Sequence, residues 1–342
     1  MAGGVEKMSI DLARGLKSRG HDVCIVSLDK TSSIPFFIMP KSISWIKIGI
    51  GDPSKKANTK VRFLRALLLR RYIKQNGFEV GIGFQVGSFA LLKFATIGLP
   101  FRAIAAERNS PTLYSYVRNG QRRKIFHNIV LLFASKITVQ FESFRKLYPR
   151  YLQKKIHITP NYVAQSNSPR IFSRRNDFRI LFIGRLAYQK NVRLLIESLE
   201  ILPKNFTVTI VGDGEDLINL KLLAKKYPSR VHFLPPRSKL NSLYLKSDLF
   251  CLPSLWEGFP NVLAEALSFG LPAVGFYNCS GVKELIKDNV NGVIANGNND
   301  VETLADAIHK ASLVKFSPKK IKSSVLKYNY KRFIDEWEKC LL

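Results

Sequence analysis

Residues 249–276 read LFCLPSLWEGFPNVLAEALSFGLPAVGF, and the order of residue types in them decides the architecture. An apolar run at 249–254, the length of a buried strand, leads into a loop carrying Glu257 and Gly258. Pro260 and Asn261 suit a helix entry, because proline presets a helical φ and lacks an amide that the first turn would leave unpaired. Val262, Leu263, Ala266, Leu267 and Phe269 then give the helix an apolar face. Gly270 and Pro272 stop it, and a second apolar run at 272–276 follows. Strand, loop, helix, strand at this spacing is a parallel crossover unit, with its loop at the carboxyl end of the first strand.

The same alternation extends in both directions. It predicts strands at 21–28, 44–50, 78–84, 102–107, 136–140 and 155–160, and again at 177–184, 206–212, 230–235, 249–254, 272–276 and 291–295. Between the two sets lies AQSNSPRIFSRRN (164–176), polar and without periodicity, which reads as a linker. A chain of 342 residues is too long for one ordinary core and suits two domains of about 150 residues each. The expected organisation is α/β: an N-terminal Rossmann-like domain over 1–165, a second over 166–325, and a C-terminal helix over 326–342 packing back toward the first domain. Ligands of such doubly wound parallel sheets bind beyond the carboxyl ends of the strands, so two domains facing across a cleft would trap a ligand between those ends.

The chain opens MAGGVEKMSIDLARGLKSRGHDV, where Gly3 and Gly4 precede an amphipathic helix with Met8, Leu12 and Leu16 at helical spacing. A doubly wound domain has a strand before such a glycine pair, and here that first strand is missing. The pair would let backbone amides approach an anion, helped by the helix dipole, although a glycine pair also marks any ordinary turn.

Net charge is +29 and uneven: residues 1–170 hold 29 Lys and Arg against 8 Asp and Glu, and the remainder holds 25 against 17. The first half is therefore expected to meet an anionic partner, which composition leaves open among phospholipid head groups, a polyphosphorylated small molecule and a nucleic acid. No apolar run of about 18 residues lacks a charge or a Gly or Pro, and the N-terminus lacks a signal-peptide pattern, so membrane contact would be peripheral. Cys24, Cys251, Cys279 and Cys340 form no C-x-x-C pair and do not cluster with the five histidines. They read as small buried hydrophobes in a reducing cytoplasm, with neither a disulfide framework nor a metal site.

FIGRLAYQKN (182–191) runs from a strand through Gly184 into a turn with Arg185 and Lys190, just before a helix. Two cations there can hold a diphosphate; two solvated surface cations are the plain alternative. VGDGED (211–216), with Gly212 and Gly214, lacks the third glycine of the dinucleotide fingerprint, and no G-x-x-x-x-G-K-[ST] occurs, which argues against a dehydrogenase and a P-loop ATPase. Glu257 falls in the loop before the helix of the opening stretch, and Glu265 about one turn inside it. Helix-end electrostatics worth roughly 0.3–1 kcal/mol each would account for both. Gly258, however, thins the loop so that amides of Phe259 and Asn261 can reach a ligand, and carboxylates accept hydrogen bonds from vicinal hydroxyls.

Taken together, GRLAYQKN, VGDGED, EGFPNVLAEAL and SGVKELIKDNVNGVIA (280–295) resemble the family-four retaining glycosyltransferases of the GT-B fold, over about residues 177–313. The first half is similar more loosely, through GGVEKMSIDLARGLKSRGHDV and ERNSP (107–111), to bacterial exopolysaccharide and O-antigen enzymes such as the amylovoran-biosynthesis-like group. The resemblance implies that Arg185 and Lys190 hold the donor diphosphate and neutralise the leaving nucleotide. It implies that Glu257 contacts the donor sugar, a hexose or N-acetylhexosamine carried by a nucleotide such as UDP, and that Glu265 contacts the ribose. Phe259, Pro260, Asn261 and Val262 would line the sugar-phosphate pocket with Gly212, Gly214 and Gly258, and the Gly3-Gly4 turn would belong to the donor site. No metal or other cofactor is implied. Retention would proceed by same-face attack assisted by the leaving phosphate. ERNSP stands where the family often has a histidine, which makes Glu107 and Arg108 acceptor-side candidates, and Pro235-Pro236 replaces a turn that usually contains glycine near the base.

With this reading the basic segments KVRFLRALLLRRYIKQ (60–75) and RNGQRRKIFHNIVLLFASK (118–136) suit docking to an anionic membrane surface and holding a lipid-linked glycan acceptor. Their apolar faces equally suit the core, with the arginines solvated; a helix can do both. The expected protein is a transferase of surface-polysaccharide biosynthesis, cytoplasmic and peripheral on the inner face of the membrane, with no nucleic acid partner. A nucleotide-sugar epimerase of the same architecture would turn over donor without acceptor. A non-catalytic anion or nucleic-acid binder is suggested by charge but lacks a motif.

Overall fold

A computed structural model describes residues 4–34, 37–52, 57–169 and 176–342. The chain divides into two compact units, Met1–Asn161 with Lys331–Leu342, and Tyr162–Tyr330. Twelve strands occur among the described residues, and each falls inside one of the twelve segments whose periodicity predicts a strand.

Unit 1 runs α1 (Gly4–Ser18), β1 (Cys24–Ser27), β2 (Ser44–Lys47), α2 (Thr59–Asn76), β3 (Val80–Phe84), α3 (Gln85–Ala95), β4 (Arg102–Ala106), α4 (Gly120–Leu132), β5 (Lys136–Val139), the short helices α5 (Glu142–Arg145) and α6 (Arg150–Gln153), and β6 (Ile156–Ile158). Every strand pair is parallel. Among the described residues the strands do not form one doubly wound sheet: β1 pairs with β2, while β3-β4-β5-β6 form a second sheet. Helix α1 is the first described element. Ala103 to Ala106 of β4 are buried, as a strand covered by helices on both faces requires. A Cβ on Gly83 would stand 2.4 Å from the Cα of Phe89, so glycine there lets α3 cross close over β3.

Helix α2 departs from the core role that its apolar content allows. Asn58 caps it by accepting from the Val61 amide at 2.9 Å, and it buries Arg65, Ala66, Leu69 and Ile73. Phe63, Leu64, Leu67 and Leu68 remain exposed, as do Ile125, Phe126, Ile129 and Leu132 of α4. The buried Arg65 donates from Nε to the Ile50 carbonyl at 2.8 Å.

Unit 2 continues with β7 (Phe178–Ile183), α7 (Val192–Glu197), β8 (Phe206–Val211), α8 (Leu217–Ala224), β9 (Val231–Leu234), α9 (Asn241–Lys246), β10 (Leu249–Leu252), α10 (Asn261–Ser268), β11 (Ala273–Phe276), α11 (Ser280–Lys283), β12 (Gly292–Ala295), α12 (Val301–Leu313) and α13 (Pro318–Ser323). Its six strands form one parallel sheet in the order β12-β11-β10-β7-β8-β9. The chain builds outward from β7 through β8 to β9, then returns to lay β10 on the other side of β7 and builds outward again. Leu249 pairs with Ile180 and Phe250 with Leu181. The boundary between β7 and β10 is therefore the topological switch point of the sheet, where the loops after the two strands diverge and leave a crevice.

The last helix, α14 (Tyr330–Leu341), returns to unit 1. It carries a buried face of Phe333, Ile334, Trp337 and Cys340. Arg19, just beyond α1, donates to both Asp335 and Glu338, and His21 Nε2 lies 2.9 Å from Glu338 Oε1. The Trp337 ring meets Phe84 at 6.1 Å.

Candidate active site

In unit 2 the loops after β7, β8 and β10 come together. After β7 the chain makes a 3-10 turn over Tyr188–Lys190, and Asn191, with φ of 51°, turns it into α7. This places the Lys190 ammonium 2.5 Å from Glu257 Oε1, with the two side chains only 16% and 8% exposed. Gln189 fastens the same two loops: its side-chain amide donates to the Trp256 carbonyl at 2.6 Å, and its own carbonyl accepts from the Leu255 amide at 2.9 Å. The contact thus sits at the switch point, joining the loop after β7 to the loop after β10.

Glycine is required where these loops touch their neighbours. A Cβ on Gly212 would stand 1.9 Å from the Gly184 carbonyl oxygen and one on Gly214 2.2 Å from that of Leu186, so the β8 loop presses on the β7 loop. The start of α11 backs the β10 loop in the same way, since a Cβ on Gly281 would lie 2.2 Å from the carbonyl oxygen of Gly258. Arg185 is turned outward, its Nη2 3.0 Å from Glu215 Oε2, both side chains more than half exposed. Backbone hydrogen bonding and Arg185 hold the Glu215 carboxyl below its usual range.

Glu265, in α10, accepts from the Tyr244 hydroxyl at 3.0 Å, and burial with the nearby carboxylate pushes that phenol well up. Gly258 is buried between Glu257 and Phe259. Phe259 and Pro260 are buried too, the Phe259 ring edge-on to Tyr328 at 5.2 Å. Asn261 and Val262 are half-buried in the first turn of α10, a helix that begins without a side-chain cap hydrogen bond. Chemically, its positive end, Lys190 and Arg185 are groups able to attract an anion, and Glu257 and Glu265 are groups able to accept from hydroxyls. Gly4 is the exposed first residue of α1 in unit 1, and Gly3 lies outside the described residues.

Unit 1 holds a separate cavity of about 540 Å³ at the carboxyl end of its four-stranded sheet. Glu107 and Arg108, the two residues after β4, both line it. Arg108 is fully buried: Nη1 donates to the Thr159 carbonyl at 3.0 Å, Nη2 to the hydroxyls of Thr138 and Thr159, and the guanidinium lies 4.9 Å from the centre of the Trp337 ring. Burial lowers its pKa to about 9. Glu107 Oε2 lies 3.1 Å from His127 Nε2, and His127 Nδ1 is hydrogen-bonded to the Tyr114 hydroxyl.

Sequence reasoning missed His127, Tyr114, Gln189, Tyr244 and Gly281. His127 sits in a segment that reads as an amphipathic basic helix, and a lone histidine there carries no signal. Gln189 adjoins Lys190, and Gly281 lies in a stretch quoted for its resemblance, but neither announces the contact it makes.

Residues 164–327 match the family model described as Glycosyl transferases group 1. Over 349 residues the chain is 28% identical to an uncharacterized glycosyltransferase of Haemophilus influenzae, covering 98% of this chain and 96% of that one. It is 25% identical to the GalNAc-α-(1→4)-GalNAc-α-(1→3)-diNAcBac-PP-undecaprenol α-1,4-N-acetyl-D-galactosaminyltransferase of Campylobacter jejuni, covering 88% and 83%. The solved structure of Anabaena HepE in complex with UDP-glucose is similar in fold, with a TM-score of 0.77 at 16% identity over 100% of this chain and 96% of that one.

Proposed function

Since residues 164–327 are a glycosyl transferases group 1 domain in a chain with the parallel-sheet α/β architecture of GT-B enzymes, we propose that this glycosyltransferase moves a hexose or N-acetylhexosamine from a nucleotide sugar, UDP-linked, to a lipid-linked glycan. The single observation that carries the reading is the Lys190–Glu257 contact at the switch point of unit 2. It sets a cation for the diphosphate beside a carboxylate for the sugar, at the positive end of α10. Glu265, steadied by Tyr244, takes the ribose hydroxyls, and Arg185 can exchange its exposed partner Glu215 for the diphosphate.

The chemistry then needs little from the protein beyond charge and position. The acceptor hydroxyl attacks the anomeric carbon on the face from which the nucleotide leaves. The bond to the diphosphate breaks, and the hydroxyl proton passes to the departing phosphate oxygen. Lys190 and Arg185 offset the charge that develops there, so retention needs no metal and no enzyme nucleophile. The Campylobacter relative's PP-undecaprenol-linked substrate supports a lipid-linked acceptor, and relatives named for amylovoran and O-antigen biosynthesis support a role in bacterial surface-polysaccharide assembly. Among the described residues no helix is long and apolar enough to cross a membrane. Contact with the inner leaflet would be made by the basic, partly apolar faces of α2 and α4.

Titration with UDP and UDP-sugars in the presence of chelator tests this. Glu265→Ala should weaken binding of free UDP at least tenfold, whereas Glu257→Gln should keep it and lose most of the transfer. Donor consumption should require a lipid-linked acceptor. Turnover of donor alone would point to an epimerase, and UDP binding indifferent to Glu265 would sink the site assignment.

A further inference from the structure

We infer that Tyr188 and Trp256 form an aromatic wall beside the Lys190–Glu257 contact that packs against the pyranose ring of the donor, with Gln189 as the positioning residue that holds the wall together. The wall rests on the transferase reading above and adds to it what tells a nucleotide sugar from a bare nucleotide.

Each loop that carries a charged group to the switch point of unit 2 also carries an aromatic ring. Tyr188 opens the 3-10 turn that ends at Lys190, and Trp256 immediately precedes Glu257. Their ring centres lie 6.2 Å apart with the planes at 54°, so the rings lean together without stacking. Tyr188 is 64% exposed and Trp256 half-buried, whereas Ser254, Leu255 and Glu257 around Trp256 are buried.

A single exposed aromatic side chain is ordinary. These two are held from the backbone. Gln189, between Tyr188 and Lys190, grips the facing loop at two successive residues: its main-chain carbonyl accepts from the Leu255 amide, and its side-chain amide donates to the Trp256 carbonyl. Within its own loop the Lys190 amide donates to the Ala187 carbonyl at 2.8 Å, and the Asn191 amide to that of Tyr188 at 3.2 Å. Both rings therefore stand on fixed backbone before any ligand arrives, and an aromatic side chain has only two torsions left to order. Aromatic surface on a fixed frame, next to a few well-placed polar groups, is how small-molecule sites are composed.

A pyranose matches this composition. Its hydroxyls point outward around the rim and can donate to the Glu257 carboxylate, while its axial C–H groups form an apolar face. Aromatic faces are electron-rich and attract such C–H groups, whose hydrogens the neighbouring oxygens make electropositive. A phosphate would be repelled by the same faces. A nucleobase would stack on them, but the carboxylate assigned to the ribose, Glu265, lies eight residues further on inside α10, where Tyr244 holds it. Trp256 adjoins the carboxylate assigned to the sugar, which favours the pyranose.

The test is calorimetric titration of the full chain, with chelator present, using UDP, UDP-glucose, UDP-galactose and the corresponding UDP-N-acetylhexosamines. Wild type should bind UDP and at least one of these donors. For the donor bound most tightly, Tyr188→Ser and Trp256→Leu should each lower affinity roughly fivefold and leave UDP unchanged. Tyr188→Phe, which keeps the ring, should restore what Tyr188→Ser loses. Gln189→Leu should lower donor affinity by a similar factor and again spare UDP, a split that general damage to the loops would not produce, since that would weaken both ligands. If the Tyr188 and Trp256 variants bind the donor as wild type does, or if wild type binds UDP and none of the donors, the wall is overturned while UDP binding keeps the transferase reading. Loss of UDP affinity in step with the donor would put the base on the rings and equally overturn the proposal. A wild type that binds neither UDP nor a donor would instead count against the transferase reading itself.

Discussion

Lys190 and Glu257 meet almost out of water, and neither can be changed alone without leaving a stranded charge. Removing one partner of such a pair costs about 3–5 kcal/mol when fully buried, because the survivor keeps its desolvation and loses its compensation. With the side chains 16% and 8% exposed, the lower end applies. Glu257→Ala is therefore expected to cost about 3 kcal/mol in urea unfolding. The double variant Lys190→Met/Glu257→Leu should cost clearly less than the sum of the two single changes. Additive costs would mean that the pair is not coupled in solution. The Arg185–Glu215 pair contrasts with it. Both groups are exposed, so their attraction contributes little to stability and Arg185 can leave for a stronger anion.

Among the elements, α2 and α4 carry exposed apolar side chains between basic ones. On α2, Phe63 and Leu67, and Leu64 and Leu68, lie four residues apart and so share a face, and Phe63 touches Phe94 of α3 at 6.4 Å between ring centres. Arg62, Arg71 and Lys74 are exposed on the same helix. Each basic residue near an anionic surface contributes roughly 1 kcal/mol. Each apolar side chain taken fully out of water adds about 1.5–3 kcal/mol. The protein should float with phosphatidylglycerol-containing vesicles, release from them as salt rises, and ignore pure phosphatidylcholine. Phe63→Ser/Leu67→Ser should reduce flotation several-fold. Flotation insensitive to both salt and these changes would remove α2 from the membrane surface. The amphipathic spacing of this segment was visible in the sequence. Which apolar residues it leaves in solvent was not, because that depends on α3 and on where Arg65 finds its carbonyl.

For the molecule as a whole, the return of α14 to unit 1 ties the chain's end to its beginning through Arg19, His21, Asp335 and Glu338, and Trp337 supports Arg108 beneath the unit 1 cavity. These contacts make stability depend on pH in a definite direction. His21 and then Arg19 hold the Glu338 carboxyl below its ordinary 4.5, so its contribution is complete above that value and is lost as pH falls through the lower folded value. Burial, and then Lys136 and Arg145, hold His157 below its ordinary 6.5. The unfolded chain therefore binds the His157 proton first on acidification, and stability falls as pH drops through that range. From about pH 7.5 to about 5.5 the urea midpoint of the wild type should decrease, and that of His157→Gln should decrease less. An equal or larger decrease in the variant would contradict the assignment. Local patterning alone located the twelve strands and the loops carrying Lys190 and Glu257, because strand periodicity and turn chemistry act over a few residues. The expected linker over 164–176 starts inside unit 2, which begins at Tyr162, and residues 170–175 lie outside the described residues. Strand order, by contrast, brings together groups far apart in sequence. Lys190 reaches Glu257 across 67 residues only because β10 returns to the side of β7, and His127 reaches Glu107 only because Gly120 admits the Tyr114 turn. The residue types available for chemistry were therefore written in the chain, while their partners, their burial and the split of the unit 1 strands into two sheets were decided by non-local packing, which no local pattern encodes.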